Sequence, residues 1–237
     1  MSKVVTTTVL PRDGFDTLNI GATGDTVAIA GDSLNTNVLQ DAGGNNLFTS
    51  SSGTVSSTSL VGNLKLLSTQ NASNSASISF TSGIDSTYDV YIFKFMEINP
   101  ATNSAAFQFQ AGSSYNTTMT TTTFRAYHFE NDSGSGFSYT TAEDQAQGTG
   151  FQSVGGDVGN DADNTIAGEL YLFAPSSTTY LKHFYCRSSL YRTASPGAGD
   201  FLSAGYFNTT SALTQVQFKF SSGNFDGIIK LYGISKT

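Results

Sequence analysis

The chain has 237 residues, 38% hydrophobic and only 12% charged, with 18 acidic against 11 basic side chains and a net charge of −7. That balance argues against a nucleic-acid partner, which needs clustered Lys and Arg to neutralise phosphate, and against docking on an anionic membrane. One Cys rules out an intrachain disulfide framework, and 2 His with no Trp leave few side chains for chemistry.

A chain of this length buries roughly 70% of its unfolded surface, enough for one large sandwich or a sandwich with an appendage. Solubility rests on Ser, Thr, Asn and Gln rather than on charge, a surface suited to a packed assembly or the outside of a particle. Residues 1–10 are too polar for the apolar core of a signal peptide, and no run of about 18 apolar residues is present. The expectation is a protein made and folded in a cytoplasm.

In chain order, residues 1–14 read as an extended Thr-rich arm closed by the turn Pro11-Arg12-Asp13-Gly14. Residues 15–60 carry short apolar–polar alternations broken by Gly-Asp turns, then a Ser/Thr/Gly linker over 49–59. Strands of three or four residues with one thin apolar face do not hold themselves, so this segment is expected to need a larger sheet or sister chains.

From residue 61 onward the pattern predicts ten strands, near 62–68, 76–81, 88–98, 105–111, 119–129, 166–173, 178–187, 201–207, 213–221 and 225–234. Their spacing, with Gly, Asn, Asp or Pro between them, is that of an antiparallel sandwich or barrel. The run Tyr88–Phe95 is apolar on both alternating faces, and so nearly is the last strand; both are expected inside the sheet, since a bare edge that apolar would aggregate. Residues 130–165 read as a long loop with at most one or two helical turns, started by Thr140 with Glu143.

Tests for chemistry return little. His128 and His183 lie in strand-like runs with no Gly-x-Ser-x-Gly elbow, and read as half-buried strand histidines bonded to backbone. Glu97, Glu130, Glu143 and Glu169 are the only Glu residues, and no two form an i,i+2 pair on one strand. Asp157, Asp161 and Asp163, in a Gly-rich loop with Asn160 and Asn164, offer the hard oxygens that Ca²⁺ prefers, but no Glu closes the loop as in an EF-hand. An ordinary solvated loop is the plainer reading, and no cofactor is otherwise expected. Asn-x-Ser/Thr matches at Asn71, Asn116, Asn131 and Asn208 arise by chance in so Ser/Thr-rich a chain. Lys94, Arg125, Lys182, Arg187 and Arg192, scattered among aromatics, read as snorkelling strand residues.

Two segments resemble a known class. Leu18-Asn19-Ile20-Gly21, Gly24-Asp25-Thr26-Val27 and Gly31-Asp32-Ser33-Leu34 are similar to repeats in the shafts and attachment regions of bacteriophage fibres. Gly223-Asn224-Phe225-Asp226-Gly227-Ile228-Ile229-Lys230-Leu231-Tyr232-Gly233-Ile234 resembles the last strand of jelly-roll heads in phage virion proteins, particularly of marine tailed phages. The resemblance implies a homotrimeric virion component: an all-β chain whose antiparallel jelly-roll-type β-sandwich, residues 61–237, follows an extended arm and a short hairpin or shaft segment. Residues 1–60 would bind other virion proteins, and the sandwich would face a host glycan or protein. The matched positions are fold positions, so no functional residue is carried over.

The expected function is therefore non-enzymatic, a fibre, knob or capsid-decoration protein located in the virion. The alternatives are a polysaccharide-binding or -depolymerising tail spike and a bacterial surface lectin. Loops over 130–164 and 188–200 are the expected contact regions, with Tyr139, Phe151, Tyr191 and Arg192 as candidate receptor contacts.

Overall fold

The computed structural model describes residues 38–40, 46–51, 54–56 and 64–234. The chain divides into two compact units, Met1–Leu60 and Val61–Thr237. In the first, β1 (Val38–Gln40), β2 (Asn46–Ser51) and β3 (Thr54–Ser56) form an antiparallel sheet in the order β1-β2-β3. β3 and the end of β2 occupy part of the expected linker: Thr49 pairs with Ser56 and Ser51 with Thr54. The expected arm and the alternations over 18–34 lie outside the described residues.

The second unit is built from β4 (Leu64–Ser75), β5 (Ile78–Phe80), β6 (Val90–Pro100), β7 (Ala105–Ala111), β8 (Met119–Phe129), β9 (Ser135–Tyr139), β10 (Ala146–Gly148), β11 (Gln152–Val158), β12 (Ile166–Phe173), β13 (Lys182–Arg192), β14 (Gly197–Phe207), β15 (Val216–Phe220) and β16 (Phe225–Ile234). All belong to one antiparallel sheet that curls on itself. A long run, β4-β16-β6-β12-β13-β14-β8, carries β9 and β10 on the remaining edge of β8. A short run, β11-β7-β15-β5, joins it where Val158 pairs with Arg192. Among the described residues no helix is long and apolar enough to cross a membrane.

Alternation drives the packing. Along β13 buried Lys182, Phe184, Cys186, Ser188, Leu190 and Arg192 take turns with more exposed neighbours, the two-residue period of a strand with one covered face. The buried faces of the two runs meet in an aromatic core. Phe218 of β15, fully buried, lies 5.4 Å from Phe93 and 6.5 Å from Phe95 across the interface, and 5.8 Å from Phe107 in its own run (centroid distances). Farther along, Phe109 meets Phe184 edge-on at 5.0 Å. Each such ring contributes about 1.5–3 kcal/mol through burial, and edge-to-face geometry adds to it.

The two strands expected inside the sheet are there: β6 lies between β16 and β12, and β16 between β4 and β6. Two expectations need correction. Residues 130–165 are not a long loop but hold β9, β10 and β11, with one 3-10 turn at Thr141–Glu143 that Thr140 does not cap through its side chain. Nor is 188–200 a loop: β13 runs to Arg192, β14 starts at Gly197, and all 11 residues of β13 pair with β14. Only residues 193–196 turn between them.

Candidate functional site

The covered face of the long run explains the core; its other face is the unusual one. An antiparallel sheet packed on one side ordinarily presents polar residues on the other. Cross-strand register here aligns Ala204, Tyr185, Tyr171, Ile92, Tyr232 and Leu66 in one outward row across six strands. The next row aligns Phe173, Val90, Ile234 and Leu64. Tyr171 stacks on Tyr185 at 4.6 Å and 16°, and Phe173 lies 5.8 Å from Tyr185. Leu64 and Leu66 are 44% and 49% exposed.

These rows continue into a hollow of about 440 Å³ floored by Ala204 and Gly205 and walled by Phe173, His183, Tyr185 and Tyr206. On the other side the apolar surface stops at a charged row, Arg187, Glu169, Lys94 and Lys230, in which Lys94 pairs with Glu169 at 3.4 Å. Burial, and secondarily the charge of Glu169, pushes the Tyr171 phenol above its ordinary pKa. Ile92 within the row is 4% exposed, so the open apolar surface lies to either side of it, at Tyr185 and at Leu66 and Leu64; exposed apolar patches are typical of interaction sites. The surface ends at β4, a 12-residue strand that among the described residues pairs only with β16.

The candidate contact residues do not gather into one patch. Tyr139 is 57% exposed on β9, and its hydroxyl donates to the Asp144 carboxylate. Phe151 precedes β11, half-buried, with the Lys219 ammonium 4.3 Å from its ring centroid. Tyr191 is half-buried near the end of β13 and Arg192 points to the opposite face. Arg192 is buried rather than presented on a loop: it is 9% exposed, over the rings of Tyr127 (5.2 Å) and Phe129 (5.8 Å), with Asp157 Oδ2 at 3.4 Å.

The proposed cation ligands are likewise engaged or apart. Asp157 Oδ1 accepts from Ser104 Oγ and the Ala194 amide, and its other oxygen faces Arg192. Asn99 donates to the carbonyls of Asp161 and Asn164, fixing the loop, while Asp163 is exposed beyond it. Among the described residues no three His, Cys, Asp or Glu side chains converge.

Two more readings change. His128 and His183 are exposed rather than half-buried: His128 Nε2 lies 3.1 Å from Asp132 Oδ1, and His183 packs beside Tyr206 at 5.9 Å. Lys182 does not snorkel. It is fully buried, and its Nζ donates to the carbonyls of Tyr180 (2.7 Å) and Thr209 (3.2 Å), while burial lowers its pKa. The outward rows were missed because apolar residues on both faces of β6 and β16 signal coverage, but only cross-strand register lines them up with Tyr171 and Tyr185.

Comparison with protein families, with curated proteins and with solved structures finds no match.

Proposed function

We propose that the chain is a non-enzymatic structural protein of a bacteriophage virion, of fibre, knob or head-decoration type, working as a homotrimer that displays its β-sandwich to a host surface. The observation that carries this reading is the apolar double row on the outer sheet face, running out to β4, which among the described residues pairs only with β16. A second copy of the chain is the occupant. Residues 1–60 precede the unit that carries that surface. The described strands among those residues are only three, six and three residues long, too short to be stable unsupported. In the assembly, strand addition between copies completes those short strands.

Strand order supports the finer fold reading. β4-β16-β6-β12 and β5-β15-β7-β11 set the first strand beside the last and interleave the others as in a jelly roll, with β8–β10 and β13–β14 as insertions. The trimer number follows from the resemblance to fibre proteins, and closed symmetry suits an outward-facing head.

Light scattering on the full chain and on residues 61–237 tests the reading. The full chain should run as a trimer and the shorter form should dissociate at lower dilution. A full-length monomer at tens of micromolar contradicts the assembly, and release of reducing ends from a polysaccharide by the pure protein contradicts the non-enzymatic assignment.

A further inference from the structure

Beyond the charged row, the outer face carries a different surface. β8 aligns Phe124 with Leu202 on β14 and Tyr139 on β9, and Ala126 with Asp200 and Phe137. Phe137 is 70% exposed, far more than an aromatic side chain on a folded sheet needs to be. Its ring leans on Phe124 at 5.2 Å and 50°, which supports one side and leaves the other to solvent. Beneath it lies a hollow of about 220 Å³ whose remaining lining is Ala126, Leu202, Arg187 and Asp200.

Arg187 and Asp200 meet as a fork: Nε donates to Oδ1 at 3.1 Å and Nη2 to Oδ2 at 2.8 Å. The pair also lines a second hollow, of about 520 Å³, with Glu169, Ser188 and Ser189. It therefore stands between two depressions, with small Ala126 on one side and Ala167 and Gly168 on the other.

A bidentate pair uses two of the five guanidinium donors and two of the carboxylate's four acceptor positions. What remains is a planar set of donors and acceptors, already oriented, next to an open aromatic face. A pyranose ring has the complementary chemistry: an apolar C–H face to lie on a ring, and neighbouring hydroxyls that both donate and accept. The charge selects within that class. Arg187 is balanced by Asp200, Glu169 by Lys94, and the chain carries −7, so nothing here favours an anionic sugar.

We propose that Phe137, backed by Phe124, and the Arg187–Asp200 fork form a binding site for neutral pyranosides, with a longer saccharide running across the fork from one hollow to the other. The ring stacks on the open face of Phe137, Arg187 donates to its hydroxyl oxygens and Asp200 accepts from its hydroxyl hydrogens. The site names the ligand class of the adhesive surface in the preceding reading and rests on that reading only for where such a sugar is met.

The test is affinity electrophoresis of the full chain through gels containing dextran, mannan or arabinogalactan, with alginate as the anionic comparison. Retardation is expected in at least one neutral gel and not in alginate. Phe137→Ala and Arg187→Lys, which loses the fork geometry, should each weaken it at least tenfold. Phe137 is mostly solvent-exposed, so its truncation leaves melting and light scattering on the same samples unchanged. No retardation in any neutral gel, retardation in alginate alone, or variants retarded like the parent would each overturn the site. Sugar binding by a monomeric protein would uphold the site while removing the trimer, so the two failures are distinct.

Discussion

Cys186 shows what one buried side chain does to the whole stability profile. It is 1% exposed on the core face of β13, paired with Leu170 on one side and Ser203 on the other. Burial, with a smaller contribution from the charge of Glu169, drives its pKa well above the ordinary 9.0. The thiol therefore keeps its proton in the folded state at pH values where the unfolded chain releases it. Its contribution is fully present below the unfolded pKa and falls as pH rises beyond it, by about 1.4 kcal/mol per pH unit. Cys186→Ala removes that dependence. Urea unfolding at neutral pH and about one to two units above the thiol's unfolded pKa should show parent and variant converging as pH rises. A gap that stays constant contradicts the assignment. Such a thiol is also inert to oxidation, since the nucleophilic thiolate is suppressed. The burial of Lys182 and Arg192 was not legible in the sequence, because a charged side chain signals exposure and the groups that receive it, the Thr209 carbonyl beside that of nearby Tyr180 for Lys182 and the Tyr127 and Phe129 rings for Arg192, are brought there by the fold.

At the scale of elements, the limits of β7, β8, β12 and β16 coincide with those read from alternation alone, because each has a clear two-residue period between turn residues. β11 shows why others were missed. Its residues Gln152, Ser153, Val154 and Gly155 are all buried, yet three of the four are polar or lack a side chain. Large neighbours fill the space instead: a Cβ on Gly155 would lie 2.3 Å from Ile166 Cδ1 and 2.8 Å from Leu190 Cδ2. Gln152 and Ser153 are held by hydrogen bonds, with Thr121 Oγ1 donating to the Gln152 side-chain Oε1 and Ser203 Oγ to the Ser153 main-chain carbonyl. Composition alone reads such a strand as loop. The bulge opposite Gly227 is a second device of this kind. There β16 shifts register against β6, Gly227 has φ +135°, and a Cβ would lie 2.7 Å from the Glu97 carbonyl oxygen. Gly227→Ala should cost about 1–3 kcal/mol, read as a lower urea midpoint with unchanged slope; an unchanged midpoint would show that the bulge relaxes freely.

For the molecule as a whole, the sandwich was legible because patterning alone sets fold class, whereas its binding surfaces depend on register. The apolar rows and the Arg187–Asp200 fork exist only once six strands are aligned to the residue, and a shift of one position would turn each side chain to the other face. The proposed assembly would depend on the same alignment, since Leu66 and Tyr232 share a row with Tyr171 and Tyr185. Sedimentation velocity on the full chain and on a Leu66→Glu/Tyr232→Glu variant measures this directly. The account predicts a parent species of three times the 25.0 kDa subunit mass and a folded, monomeric variant, because two charges brought to a desolvated contact each cost several kcal/mol while leaving the opposite core face untouched. A parent that sediments as a monomer, or a variant that remains trimeric, would contradict it.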